Sequence, residues 1–372
     1  MKLNIVSLDN PFPPNYGGAI DIFYKLKSLY GQGYKIYLHC FYSNRNPKPE
    51  LEYYCQRVYY YQRRSFIKSI LNARIPFVVS SRYSKALISN LLKNNYPILF
   101  DGLQSSLISQ KGEFKNRKKY LRLHNIESDY MKQLSKSEEN WIRKFGLRLD
   151  AYRYQSFEKK LNQYEAIFTI SKTDQKFYQT YNNNVYLLNA FHGQQKVQSQ
   201  LGIGNYILYH GNFDVSENLK VANFLIKNVF NSLRFPIKIA GKNAFNKLQP
   251  YINNSNIEII NNPNSKVMQK LILDAHINIL PTFQATGIKL KLINSLFLGR
   301  HCIVNNAMIA PTPILDKLCI ISNSADEFIN KIVEIIQLPF LQKDIKNRTD
   351  ILLKYFNDLK NSKILIEKIF YK

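Results

Sequence analysis

Lys289 and Lys291 stand directly behind a Thr-Gly pair in the stretch Pro281-Thr-Phe-Gln-Ala-Thr-Gly-Ile-Lys-Leu-Lys-Leu-Ile-Asn294. Thr286 and Gly287 can cap a helix, whose first turn carries N–H groups without intrahelical partners. Two ammonium groups beside such a terminus suit a diphosphate. Gly287, Lys291 and Asn294 are spaced four and three apart and so share one helical face. Ile288, Leu292 and Leu296 form a separate row that faces a core. An amphipathic helix with its lysines in solvent has the same spacing, and charge alone favours that reading. A second stretch, Asn10-Pro-Phe-Pro-Pro-Asn-Tyr-Gly-Gly-Ala19, is stiffened by prolines and places Gly17 and Gly18 where a helix begins. Backbone N–H groups there can approach an anion closely; a turn that needs glycine for its backbone angles is the other reading.

The elements that must hold these loops alternate between strand and helix. In the first half, residues 3–8, 35–41, 58–61, 98–101, 119–123, 166–170 and 185–188 read as strands from their apolar, β-branched and aromatic content. Residues 19–30 place Ile20, Phe23, Tyr24, Leu26 and Leu29 at helical spacing, and Gly31-Gln-Gly33 stops that helix. Residues 84–93 read as a helix and 127–165 as mainly helical, with Phe145, Leu149, Tyr152, Phe157, Leu161 and Tyr164 as an apolar stripe. A second series follows, with strands at 206–209, 237–240, 257–260, 277–280, 302–304 and 319–322. Its helices are 216–230, 266–275, 288–298 and 325–337, and the tail is helical. Gly241 reads as a turn residue.

The fold class expected is therefore α/β, with two Rossmann-like domains facing a central cleft and a helical C-terminal tail. The first domain spans residues 1–190 and the second 204–345. The tail, 346–372, is expected to pack back on the first domain. In open parallel sheets ligands bind beyond the carboxyl ends of the strands, which singles out four loops: 10–18, 123–127, 210–218 and 281–291.

At 372 residues the chain is longer than one core usually carries, in keeping with two domains. Its 45% hydrophobic and 21% charged content excludes a disordered chain. Four cysteines, Cys40, Cys55, Cys302 and Cys319, form no C-x-x-C pair, which excludes a disulfide framework and a structural zinc site of the usual spacing. The start reads as a strand rather than a secretory signal, and no apolar run approaches the roughly 18–20 residues that span a bilayer. The net charge is +26, from 52 Lys and Arg against 26 Asp and Glu. Lysine used as the default surface residue explains part of it; nucleic acid, an anionic membrane or an anionic substrate are the specific partners that would explain the rest. No nucleic-acid recognition motif accompanies the charge, so nucleic acid is not expected as a partner.

Three stretches, in order, resemble the retaining glycosyltransferases of the two-domain GT-B fold, family 4 or group 1 type. Pro11-Phe-Pro-Pro-Asn-Tyr-Gly-Gly-Ala-Ile20 is similar to that group's N-terminal glycine loop. Leu121-Arg-Leu-His-Asn-Ile-Glu127, followed by a long helix and Ala166-Ile-Phe-Thr-Ile-Ser171, is similar to the end of its N-terminal domain. Thr286-Gly-Ile-Lys-Leu-Lys-Leu-Ile-Asn-Ser-Leu-Phe-Leu-Gly299 is similar to its donor-binding signature. The resemblance runs over essentially the whole chain.

It implies transfer of a sugar from a UDP- or GDP-linked donor to a hydroxyl of a glycan or polyprenyl-diphosphate-linked acceptor, in surface polysaccharide or lipopolysaccharide synthesis. It implies a metal-independent enzyme without a cofactor, consistent with the absence of a carboxylate metal motif such as D-x-D in the site loops. Gly17, Gly18, Gly211, Thr286, Gly287, Lys289, Lys291 and Asn294 would bind the donor. His124 would be the catalytic-pocket residue, and Asn125 and Glu127 would meet sugar or acceptor hydroxyls. The family commonly has two glutamates eight positions apart where Thr286 and Asn294 stand. An Asn carboxamide offers one acceptor oxygen and lacks the charge-assisted strength of Glu, so a non-catalytic relative acting in binding or assembly is the alternative; a sugar epimerase of the same fold is a further one. Within residues 58–86, Arg63, Arg64, Lys68, Arg74, Arg82 and Lys85 alternate with Tyr, Phe, Ile and Val. Such a face suits docking at the anionic inner leaflet of the cytoplasmic membrane, so the expected location is the cytoplasm or that surface.

Overall fold

A computed structural model describes residues 1–70, 74–252, 254–284 and 287–371. Two parallel sheets organise the chain. The first has seven strands in the order β3-β2-β1-β4-β5-β6-β7: β1 (Lys2–Ser7), β2 (Lys35–Tyr42), β3 (Arg57–Gln62), β4 (Ile98–Asp101), β5 (Lys119–Leu123), β6 (Ala166–Thr169) and β7 (Val185–Leu187). The second has six, in the order β10-β9-β8-β11-β12-β13: β8 (Ile207–Asn212), β9 (Ile237–Lys242), β10 (Ile257–Asn261), β11 (Ile277–Ile279), β12 (His301–Val304) and β13 (Ile320–Ile321). Each sheet reverses its strand order once, between β1 and β4 in the first and between β8 and β11 in the second. These are the topological switch points where α/β sheets bind ligands.

The strands are apolar on both faces because helices cover both faces of a parallel sheet. Alternate residues divide the first sheet's packing. Val6, Phe41, Phe100, Leu121 and Ile167 belong to one core, and Leu3, Ile5, Leu38, Leu99 and Phe168 to the other, as a side-chain period of two requires. In the second sheet, Leu208 and Ala240 pack with Leu271, Ile272 and Leu298.

The chain forms two compact units. One comprises Met1–Gly193 and Phe356–Lys372 together with Thr286–Ile288; the other comprises Gln194–Ala285 and Lys289–Tyr355. The C-terminal segment therefore divides. Helix Gln342–Tyr355 stays with the second unit, and helix Asp358–Phe370 packs in the first, where Leu365, Ile366 and Ile369 join Ile22, Leu26 and Leu29. Asp358 anchors that helix by accepting from the backbone N–H groups of His192 and Gly193.

Two sequence expectations change here. In helix Trp141–Glu158, Phe157 is buried, but Phe145, Leu149 and Tyr152 are exposed; the helix carries two apolar faces, which a single periodicity cannot distinguish. The basic residues of 58–86 also do not form one free face. Arg82 is buried, its guanidinium bonded to the Leu8 and Val78 carbonyls. Arg63 pairs with Asp9 at 3.4 Å, and Arg64 lies over the Tyr83 ring at 4.0 Å.

Candidate functional site

In the first unit, three strand ends beside the switch point carry the polar groups. β1 ends in the loop that leads to helix Gly17–Gly31, β4 ends at Asp101, and β5 ends just before His124. Arg45 braces the first loop: its guanidinium donates to the carbonyls of Asn10 and Pro13 and to Asn15, and it stacks over the Tyr16 ring. Tyr16 precedes the helix, provides no side-chain cap, and no acidic residue occupies the first turn. The leading N–H groups are thus left for another acceptor. A Cβ added at Gly17 would meet no atom within 4 Å, and one at Gly18 would meet only the Tyr16 ring.

A buried ionic network lies beneath this loop. Lys25 bridges Asp21 (3.1 Å) and Asp101, and Arg122 pairs with Asp21 at 3.0 Å while donating to the Leu188 and Asn189 carbonyls. His124 Nε2 lies 2.9 Å from Asp101 Oδ1, and its Nδ1 lies 3.9 Å from Asp21. Burial alone would raise the Asp21 carboxyl. The Arg122 guanidinium and the Lys25 ammonium outweigh it and hold the group below the usual carboxylate range. Asp101 is likewise held low, burial being overcome by Lys25 and by the hydrogen bond with His124. Asp21, Asp101 and His124 bring one potential ligand atom each within 4.8 Å of one another. That donor set does not fit a metal ion, because the two carboxylates are already matched by two buried cations.

Asn125 and Glu127 follow His124. The backbone carbonyl of Asn125 accepts from the Tyr178 hydroxyl at 3.1 Å. Glu127 is only 2% exposed, and burial pushes its carboxyl up to about 8. With Glu158 and Asp174, both also raised by burial, it forms an acidic layer below the loop, so its carboxyl does not face solvent beside His124.

In the second unit the corresponding strand ends are those of β8 and β11. At β8, Gly211 lets Asn218 of helix Ser216–Asn228 approach, since a Cβ at 211 would lie 3.1 Å from the Asn218 side chain. Gly241 is more than a turn residue: a Cβ there would sit 1.7 Å from the Gly211 carbonyl oxygen. Beyond β11, Thr282 bonds Glu217. Lys291 Nζ donates to Asn218 Oδ1 at 3.3 Å and lies 5.4 Å from the Tyr209 ring centre. Burial lowers Lys291 to about 8 and lowers Lys289 as well, with Glu217 opposing both shifts. Buried His210, lowered to about 3 by burial, shares a hydrogen bond with Ser295.

The helix that follows the 281–291 loop starts later than its spacing suggested. It runs Leu290–Leu298, with Lys289 at the cap position. Gly287 has φ +67, a left-handed conformation that ends any helix extending backward. Gly287 therefore precedes the helix rather than sharing its face, and Thr286 lies outside the described residues. Lys291 and Asn294 remain one turn apart on one face. The Asn294 carboxamide oxygen is buried and accepts no hydrogen bond among the described residues.

Asp21, Lys25, Asp101, Arg122, Arg45, Glu217 and Asn218 were not singled out by motif. Charges inside apolar runs were the available signal for four of them. Asp21 and Lys25 interrupt the helical stripe of Ile22, Phe23 and Leu26, Arg122 sits within a strand, and Asp101 closes one.

No protein-family model matches the chain. An uncharacterized 44.6 kDa protein in the cps region of Klebsiella pneumoniae is 29% identical over 180 residues. That alignment spans 46% of this chain and 46% of that protein, so the match covers about half the length of the relative. Solved structures match over the full length. HepE from Anabaena, in complex with UDP and glucose, superposes with a TM-score of 0.66 at 10% identity over 100% of both chains. TarM gives 0.66 at 9% identity over 99% of this chain and 98% of that one. WaaG, a glycosyltransferase involved in lipopolysaccharide biosynthesis, gives 0.64 at 12% over 100% of both. The chain has the GT-B fold of these proteins.

Proposed function

We propose that the protein is a retaining glycosyltransferase that moves a sugar from a nucleoside-diphosphate sugar to a hydroxyl of a glycan or lipid-linked acceptor in surface polysaccharide synthesis. The observation that carries this reading is the second unit's switch point. There Lys291, the Asn294 oxygen without a partner among the described residues, Gly211 and the start of helix Leu290–Leu298 occupy one pair of strand ends. A diphosphate is the ligand such N–H dipoles and ammonium groups stabilise. The full-length likeness to HepE, whose structure contains UDP and glucose, and to WaaG supports the same chemistry. The Klebsiella relative in a cps region supports the polysaccharide setting.

In this reading Lys289, Lys291, Gly17, Gly18, Gly211, Thr286 and Gly287 bind the donor, and Asn294 accepts a ribose hydroxyl. Departure of the nucleoside diphosphate concentrates negative charge on its phosphate oxygens, and the lysines lower the barrier by stabilising it. The same oxygen then takes the acceptor hydroxyl proton as the new glycosidic bond forms on the face the leaving group vacates. Because this charge is met by protein cations, the step is proposed to be independent of divalent metal. His124, oriented by Asp101, contacts the sugar or the acceptor, with Asn125 beside it.

Asn294 also favours the second reading, a non-catalytic relative, because it replaces a stronger acceptor. Incubation with a panel of UDP- and GDP-sugars separates the two. A glycosyltransferase hydrolyses or transfers one donor; a binding protein leaves every donor intact while still retaining nucleotide affinity.

A further inference from the structure

Helix Trp141–Glu158 buries one face and exposes a second that is equally apolar. Ala151, Tyr154 and Phe157 enter the first unit's core. Trp141, Ile142, Phe145, Leu149 and Tyr152 point away from it and are 39% to 76% exposed. At 3.6 residues per turn these five fall within an arc of roughly 100°, so they form one stripe rather than scattered surface residues. Lys144 and Arg148 border the stripe, and Arg143 follows Ile142. The helix's two acidic residues, Asp150 and Glu158, are buried: Asp150 pairs with Arg153 and accepts from the Phe77 backbone N–H. Glu138 and Glu139 precede the helix.

A second exposed apolar pair, Phe66 and Ile67, belongs to the same unit. Phe77, tied to Asp150, packs its ring 5.1 Å from Phe66. Phe66 and Ile67 are as exposed as the stripe itself, and Lys68 adjoins them.

We infer that this face docks the first unit on an anionic phospholipid surface. Bulky apolar side chains edged by cations, with Trp and Tyr among them, are what an interfacial helix presents to headgroups and upper acyl chains. Charge decides against a second copy of the chain as the occupant. At +26 overall, pairing two such faces would bring their cationic borders together, which like-charge repulsion opposes. An anionic bilayer attracts the same border. The inference rests on exposed side chains and is independent of the sugar-transfer chemistry.

Trp141 is the chain's single tryptophan, so its fluorescence reports on this face directly. The full-length protein is titrated with phosphatidylcholine vesicles and with vesicles containing about 30% phosphatidylglycerol, a charge density that should attract a basic helix. The expected result is a blue shift and quenching by brominated acyl chains with the anionic vesicles alone. Lys144→Glu with Arg148→Glu should weaken partitioning by roughly tenfold or more. Phe145→Asp with Leu149→Asp should abolish the shift while nucleotide binding and melting temperature persist, which shows that the fold and the donor site are intact. No spectral change in the wild-type protein would overturn the proposal. So would a dimer in solution that Phe145→Asp with Leu149→Asp dissolves.

Discussion

His124 Nε2 and Asp101 Oδ1 lie 2.9 Å apart, at the ends of neighbouring strands on the β4 side of the first switch point. Asp101 also holds the buried Lys25 ammonium, so one carboxylate orients the imidazole and balances a cation. The two residues should therefore fail differently. His124→Gln should lower kcat/KM by about 10²-fold with little change in melting temperature, on the scale of a lost positioned polar group. Asp101→Asn should in addition cost about 3–5 kcal/mol of stability, because it leaves Lys25 buried with less compensation. Steady-state kinetics and chemical denaturation of both variants check this; equal stability losses would contradict it.

If Lys291 meets the diphosphate as proposed, it sets a pH limit on donor binding. Burial lowers its ammonium to about 8, so it is cationic below that pH and loses its charge above it. Affinity for a nucleoside diphosphate should fall as pH rises from 7.5 to 9, and Lys291→Arg should remove that fall because a guanidinium stays protonated. Calorimetric titration at several pH values measures both; an unchanged affinity across the range would exclude Lys291 from the diphosphate.

Among the described residues nothing donates to the Asn294 carboxamide oxygen, on the face it shares with Lys291. Asn294→Ala should weaken binding of ribonucleotides by roughly fivefold, the worth of one neutral hydrogen bond. Asn294→Glu should tighten it, since an ionised acceptor is stronger. Dideoxy analogues should bind the wild-type protein and the alanine variant alike. A full effect of Asn294→Ala on the dideoxy analogues would place the residue elsewhere.

Gly17 separates a structural from a ligand-facing glycine. No atom lies within 4 Å of a Cβ built there, and alanine is favoured over glycine in a helix by up to about 1 kcal/mol. Gly17→Ala should leave stability unchanged or raised while donor turnover falls. Gly241→Ala is the contrasting case, because its Cβ meets the Gly211 carbonyl, and it should destabilise the second sheet. Unimpaired turnover in Gly17→Ala would remove that loop from the site.

Much of this arrangement was legible in the chain. Apolar runs such as Ile98–Asp101 and Lys119–Leu123 became strands as written, because a parallel strand covered on both faces has little sequence freedom. The loops at their ends followed from topology. What escaped depended on tertiary context. The Asp21, Lys25, Asp101 and Arg122 network joins three elements distant in sequence; charges inside apolar runs mark its members, but local spacing does not show that they meet. Helix Leu290–Leu298 begins late because Gly287 adopts a left-handed conformation, which a Thr-Gly pair alone does not disclose. Phe145 and Tyr152 look like core from spacing, yet the opposite face of their helix meets the core.

The acidic layer under His124 should make stability pH-dependent. Glu127 is raised to about 8 and Asp174 to about 6, each by burial, so the folded state binds protons more tightly than the unfolded chain. Their contribution is fully present below the unfolded carboxyl range and is lost as pH rises through these values. Glu127→Gln should flatten the decline between pH 5 and 9, by on the order of a few kcal/mol at the alkaline end. Urea midpoints of the variant and wild type across that range test it; parallel curves would contradict a protonated Glu127.

The most direct test of the central claim is a thermal-shift titration of the whole protein with UDP, GDP and their sugars, in chelator and then with Mg²⁺. Ligand binding to the folded state raises the melting temperature by mass action. Sugar transfer through the Lys291 and Asn294 site predicts a rise with one nucleoside diphosphate and its sugar, undiminished in chelator and lost in Lys291→Ala. No rise with any nucleotide, or a rise that Lys291→Ala leaves intact, would contradict it.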